Sequence, residues 1–335
     1  MNLKGFAQMN HIQNESMELI SIQEQLDQFV LDARKYTISG ATASYIPALK
    51  KANPDDLGIC LISSHGTFLK SGDTDHCFTL QSISKVFSFI FACHTRGIDE
   101  VLQYVDVEPT GDAFNSIFRL ELSHPGRPFN PMINAGAITV ASLLPGDAPL
   151  DKVEALLSFF EKMIGRKPSI NMDVFHSEWQ TANRNRSLAY WLKETGFLLG
   201  DVEDAMEVYL KLCSIEVNIV ELAQMGLILA HDGLHPYTNE QIFSRDIASL
   251  AKTLMLTCGM YDYSGRFAAF VGIPAKSGVS GGIMAAIPPS ARVTNNRFAC
   301  WGVGLYGPAI DKHGNSTAGV ALLKRLSQEW DLRLI

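Results

Sequence analysis

Long apolar runs are missing from this chain: its most apolar stretches, such as Val86 to Cys93 and Met225 to Ala230, fall far short of the roughly 20 residues that cross a bilayer. No membrane segment is expected. The N-terminal MNLKGFAQMNHIQNESMELI sets Asn, Gln, His and Glu where a secretory leader needs an unbroken apolar core, so no export is expected and the location is read as cytoplasmic. Basic clusters are missing too. The formal net charge is −7 and the 28 Lys and Arg are scattered, which argues against nucleic acid or anionic lipid as a partner. Cysteine is sparse, and Cys60, Cys77, Cys93, Cys213, Cys258 and Cys300 include no C-x-x-C pair. They read as reduced, small buried hydrophobes with no part in chemistry. Repeats and low-complexity tracts are also absent.

What is present suffices for a large core: 335 residues, 47% of them hydrophobic, in one large domain or two lobes sharing a site. Residues 1–20 are polar and read as an N-terminal extension to a single domain over 21–335. Ile20 to Tyr36 has helical spacing, and Gly58 to Ser63 with Thr67 to Lys70 flank a His65-Gly66 turn as a hairpin. An almost wholly apolar helix opens near Ser82 and stops at Gly97. From about 99 to 258 the periodicity is helical throughout. Strand-like runs return at Gly281 to Ile287 and Phe298 to Leu305, and an amphipathic helix closes the chain from about Thr317 to Leu332. The expected class is α+β, an antiparallel sheet flanked by helices. Its sheet lobe covers about 21–80 and 265–335, and its helical lobe about 81–264.

Two short elements suggest acyl-transfer chemistry. Ser82 and Lys85 stand at i and i+3, which on a helix places their Cβ atoms about 5–6 Å apart on one face. A serine attacking an amide needs a proton acceptor or a local cation, and a desolvated lysine supplies either. Lys276-Ser277-Gly278, just before a predicted strand, matches the K-T-G position of penicillin-recognising enzymes that also carry Ser-x-x-K. There the strand edge offers a backbone N–H, here that of Val279, which joins the nucleophile's own N–H in holding an oxyanion.

Longer blocks are more specific. Gln81-Ser-Ile-Ser-Lys, Asn130-Pro-Met-Ile-Asn-Ala-Gly-Ala-Ile, Tyr209-Leu-Lys-Leu-Cys-Ser-Ile-Glu-Val and Pro274-Ala-Lys-Ser-Gly-Val-Ser-Gly-Gly resemble the serine-dependent glutaminase family over about residues 40 to 333. The resemblance implies a β-lactamase/DD-peptidase-like fold and hydrolysis of L-glutamine to L-glutamate and ammonia through an acyl-serine, with no cofactor and no metal. It also implies Ser82 as nucleophile, Lys85 as activator, Tyr261 as proton shuttle and Val279 as oxyanion donor. The glutamine contacts it implies are Tyr45, Ser82, Asn134, Glu178, Asn185, Tyr209, Tyr261 and Val279. It further suggests a homo-oligomer, dimer or tetramer. A carboxylate for the α-ammonium and amide and phenol donors for the α-carboxylate suit an amino-acid ligand. A single helix from Glu178 to Asn185 would set those two residues on one face. Tyr261 would need a neighbouring cation to act as a base, and Lys85 is the expected one.

Other patterns compete. Gly278-Val-Ser-Gly-Gly fits G-x-S-x-G, but Pro288-Pro289 follows where a helix is needed, and Asp311 and His313 lie too close in sequence for the usual separate loops. Gly302-Val-Gly-Leu-Tyr-Gly fits G-x-G-x-x-G without the βαβ unit of a nucleotide site. His231 and His235 flank Gly233, so a turn is expected there rather than a metal site. Tyr263 is a decoy for Tyr261. The rival functions are a penicillin-recognising acyl-serine hydrolase, disfavoured by the leaderless N-terminus, and a catalytically idle amino-acid sensor, disfavoured by Ser82, Lys85 and Tyr261 occurring together.

Overall fold

Every side chain of Gly58–Ser63 is buried, so this strand needs cover on both faces. The computed structural model, which describes residues 19–111, 116, 126–289 and 300–334, supplies that cover with helices. β1 (Gly58–Ser63) and β2 (Phe68–Gly72) form the expected antiparallel hairpin, with Ile62 opposite Phe68 and Gly66 at φ 86° in the turn. β3 (Phe78–Thr79) and β4 (Glu216–Val217) make a separate two-stranded ribbon. β5 (Ala275–Ser277), β6 (Gly282–Ile287) and β7 (Trp301–Tyr306) complete a five-stranded antiparallel sheet in the order β2-β1-β7-β6-β5. The last strand begins at Trp301, and Phe298, expected to open it, lies outside the described residues.

One face of this sheet carries Ile59, Leu61, Val303 and Leu305, which pack with Leu26, Phe29 and Val30 of the helix over 19–33 and with Leu322, Leu323 and Leu326 of the helix Thr317–Glu329. The closing helix thus ends a turn before the expected Leu332. The opposite face receives the helix Ile219–Ala230 at very short range. A Cβ on Gly302 would collide with the Ala223 carbonyl, and one on Gly304 with that of Ile219. The G-x-G-x-x-G pattern is therefore a helix-on-sheet packing device.

The remaining helices gather around Ser84–Arg96, in which Ser84 through Cys93 are all buried. Among the described residues from about 99 to 258, the segments are helices joined by loops, apart from β4, whose two residues are too few to carry a period-2 signal. Their pairing with β3 anchors the segment that leads into Ser82. The predicted extension, 1–20, lies outside the described residues up to 18, and residues 19 and 20 already belong to the first helix.

Candidate active site

The serine is presented by a strained turn. Gln81 is buried at φ 49°, a left-handed conformation costly for a residue with a side chain, and Gln81–Ile83 form a single 3-10 turn before the α-helix opens at Ser84. The helix thus starts two residues later than expected. The Gln81 side chain holds the turn, its Nε2 donating to Glu178 Oε1 at 2.7 Å and to Thr79 Oγ1 at 3.4 Å. From the first turn of that helix Lys85, 1% exposed, donates through Nζ to Asn134 Oδ1 at 2.7 Å and to the Met132 carbonyl at 3.2 Å. Its Nζ also lies 6.0 Å from the centre of the Tyr209 ring. Burial pulls the amine down from the ordinary 10.5 to about 8, partly countered by Cys213 and Glu178 nearby.

Asn134 is the first residue of the helix Asn134–Leu143, rather than the turn residue its sequence context suggests in isolation. It links Lys85 to Asn185, whose Oδ1 accepts from Asn134 Nδ2 at 2.9 Å. Glu178 and Asn185 do not share a helix, contrary to expectation. Met172–Thr181 ends at Ala182 and Asn183–Glu194 begins anew. Ala182, between them, stands at φ −79° and ψ 18°, off the helical ψ, so the helix axis breaks there. Glu178 and Asn185 join the site by separate routes, through Gln81 and Asn134. Burial lifts the Glu178 carboxyl from 4.5 to about 7 against the lowering effects of Gln81 and Lys85. Burial likewise drives the Tyr209 phenol well up and lifts the Cys213 thiol to about 12. Cys213 thus packs as a neutral thiol, consistent with an inert role.

The opposite wall comes from the C-terminal part of the chain. Tyr261, also at positive φ (55°), is hydrogen-bonded to Ser82 and donates to the Ser277 carbonyl at 3.2 Å. Burial pushes its phenol above the ordinary value, so it rests protonated. Lys276 also stands beside it: Lys276 Nζ, wholly buried, lies 4.3 Å from the centre of the Tyr261 ring and donates to the same Ser277 carbonyl at 2.7 Å. Burial first, and then the charge of Lys85, pull that amine well below its usual range. Lys276-Ser277-Gly278 precede β6, the strand expected there, but Lys276 and Ser277 themselves belong to a further short strand, β5, and Val279 sits in the turn to β6. Gly278 brings that turn against the serine, since a Cβ there would stand 2.5 Å from the Leu80 carbonyl. Ala43 and Ile46 pack with Tyr261 and Val279, which places Tyr45 at the rim. Tyr45 is 57% exposed, while crowding and its neighbours Tyr261 and Glu178 raise its phenol, as befits the wall of an open cleft.

The competing motifs resolve into structure. Ser280 Oγ donates to the Thr79 carbonyl at 2.7 Å, and His313 pairs with Asp262 at 2.8 Å, so no triad forms around Ser280. Tyr263 stacks near His313 and Arg266. His231 and His235 bond locally in the expected turn, to the Leu234 carbonyl and to Gln224. Sequence reasoning gave no site role to Gln81, Lys276 or Asn315. Gln81 and Lys276 stood in quoted motifs, whereas Asn315, inside Gly-Asn-Ser, carried no signal beyond that of a turn.

Comparison with known proteins supplies the family. The glutaminase family model matches residues 40–334. Glutaminase 2 of Bacillus cereus is 59% identical over 92% of this chain and 95% of its own length, and Glutaminase 1 of Bacillus subtilis is 56% identical over 97% and 100%. A solved Bacillus subtilis glutaminase superposes with a TM-score of 0.89 at 55% identity, covering 94% of this chain and 98% of its own. Another, at 52% identity and TM-score 0.84 over 93% and 99%, is a covalent complex with 5-oxo-L-norleucine formed from 6-diazo-5-oxo-L-norleucine. With its β-lactamase-like α+β fold, this chain belongs to the glutaminase family.

Proposed function

We propose that Ser82 carries out the hydrolysis of L-glutamine to L-glutamate and ammonia that membership of the glutaminase family gives this chain. The observation that supports it most directly is the convergence on Ser82 of a hydrogen-bonded Tyr261 and, one helical turn away, a buried Lys85 whose amine is drawn down to about 8. An amine in that range has a usable neutral fraction near neutral pH and can accept the serine proton. Ser82 Oγ then attacks the side-chain carbonyl carbon. The amides of Ser82 and Val279 hold the oxyanion, and Tyr261 returns a proton to the departing nitrogen. Ammonia leaves, water attacks the acyl-serine, and glutamate is released. Glu178 receives the α-ammonium, while Asn134, Asn185, Tyr209 and Tyr45 serve the α-carboxylate and the cleft wall.

The covalent adduct in the related Bacillus subtilis structure, made from a diazo-ketone reagent, is consistent with nucleophilic catalysis here. The reading extends to a cytoplasmic homo-oligomer, dimer or tetramer. It also includes a sheet lobe over about 21–80 and 265–335 and a helical lobe over about 81–264, meeting at the site. The test is ammonia and glutamate release from purified protein given L-glutamine, beside Ser82→Ala and with L-asparagine and D-glutamine as controls. The expected result is turnover in the wild type and a loss of at least about 1,000-fold in the variant. Near-normal turnover by Ser82→Ala would remove Ser82 from the mechanism.

A further inference from the structure

Tyr261 and Val279 come from segments 18 residues apart, yet both must face Ser82. Tyr261 also has a backbone conformation that a residue with a side chain holds only when its surroundings over-determine it. Part of that determination is local, since Ser264 Oγ accepts from Met260 N–H at 3.0 Å and donates to the Tyr261 carbonyl at 2.6 Å. The rest comes from the loop that precedes the last helix. Asn315, with no exposed surface, accepts from Ser277 Oγ at 2.6 Å and donates through Nδ2 to the Met260 carbonyl at 3.3 Å. Met260 is the residue before Tyr261, and Ser277 lies two residues before Val279. Gly314, at φ 96°, lies directly on both: a Cβ there would stand 3.2 Å from the Tyr261 ring and 3.2 Å from Val279 Cγ1. Asp311 in turn holds the loop, its Oδ1 accepting from the backbone N–H of His313 and of Asn315.

We infer that Asn315 is a positioning residue for the reaction, one side-chain amide tying the Tyr261 turn to the Val279 turn so that proton donor and oxyanion donor keep a fixed relation to Ser82. This rests on the roles proposed above for Tyr261 and Val279. Asn315 itself touches neither substrate nor serine. Its loss therefore acts on the transition state, in which a misplacement of about 1 Å costs about 100-fold, and leaves binding through Glu178, Asn134 and Asn185 nearly as it was.

The experiment compares full-length wild type, Asn315→Ala, Ser277→Ala, Tyr261→Phe and the Asn315→Ala/Tyr261→Phe double variant. Active sites are counted by the mass shift after reaction with 6-diazo-5-oxo-L-norleucine. The expected result is a fall in kcat per labelled site of about 10- to 100-fold for Asn315→Ala with KM for L-glutamine changed less than about 3-fold. In the Tyr261→Phe background the same substitution should cost much less, because its route through Tyr261 is already lost. An unchanged kcat per labelled site, with only fewer sites, would mean a purely structural role and overturn the inference. So would an equal factor in both backgrounds. If Asn315→Ala does not fold, Ser277→Ala, which removes the hydroxyl that Asn315 accepts from, carries the test on the same criteria. If Tyr261→Phe keeps wild-type kcat, the proposed role of Tyr261 fails first. A crippled Tyr261→Phe beside a fully active Asn315→Ala sinks this inference alone.

Discussion

Replacing Glu178 by Gln tests whether burial governs the site. The folded protein holds this carboxyl at about 7 against an ordinary 4.5, with burial the largest cause. Between those pH values the unfolded chain has released the proton and the folded chain keeps it, so stability falls as pH rises from about 4.5 to about 7 and stays low above. At about 1.4 kcal/mol per pH unit, the gap amounts to about 3 kcal/mol of stability at pH 8 and to less than about 1 kcal/mol at pH 5. Glutamine is nearly isosteric, its Oε1 can still accept from Gln81, and it never ionises. Glu178→Gln should therefore melt higher than wild type at pH 8, by about 5 °C for a chain of this size, with most of the gain gone at pH 5. The assay is thermal denaturation of both proteins in one buffer series, without glutamine. The variant should meanwhile raise KM, having lost the carboxylate proposed to receive the α-ammonium. A gain of equal size at both pH values, or a lower melting point at pH 8, would refute the argument that burial raises this carboxyl.

Three further outcomes follow from the same geometry. In its proposed role as acceptor of the serine proton, the Lys85 amine, lowered to about 8, must be neutral, so kcat should climb tenfold per pH unit below that value and level off above it, which a stopped ammonia assay from pH 6 to 9.5 reads directly. Gln81→Leu removes the donor that orients Glu178 and should raise KM for L-glutamine about 10-fold while kcat falls less, checked by steady-state kinetics. Gly302→Ala drives a methyl into the Ala223 carbonyl and should prise the helix Ile219–Ala230 off the sheet, lowering the melting point by several degrees or preventing soluble expression.

Much of this was legible in one sequence because the informative parts are periodic or contiguous. The hairpin at Gly66, the apolar helix after Ser82 and the closing helix at Thr317 each announce themselves within a dozen residues. Their exact limits do not. The 3-10 turn at Gln81–Ile83 moves the helix start by two residues, and β4 is two residues long. The candidate site was legible only where its residues sit in blocks. Lys276 lay in plain view, yet nothing local says that its amine ends over Tyr261, 15 residues earlier, because the chain doubles back after the helix Ser264–Phe270 until the Ser277 N–H bonds to the Gly259 carbonyl. Asn315 was harder still. It looks like any turn asparagine until the fold carries it to Ser277 and Met260. The expected common helix for Glu178 and Asn185 failed at Ala182, whose φ of −79° and ψ of 18° interrupt a periodicity that runs through on paper.

Burial gives these scattered groups a shared property. Taken at their ordinary values, the carboxyl of Glu178 at 4.5 and the amine of Lys85 at 10.5 differ in proton affinity by about 8 kcal/mol. Held at about 7 and about 8, they are drawn close together. Lys276, pulled down by burial and by Lys85, is driven towards neutrality in the same sense. Desolvation thus presses acid and base alike towards their neutral forms and narrows the spread of affinities. A site of that kind can take a proton from a serine and return it to an amine within one narrow band of pH. The strained backbones of Gln81 and Tyr261 fit the same logic, since each keeps a side chain among groups that water would otherwise separate, and the Gln81–Glu178, Lys85–Asn134 and Ser277–Asn315 hydrogen bonds offset that cost.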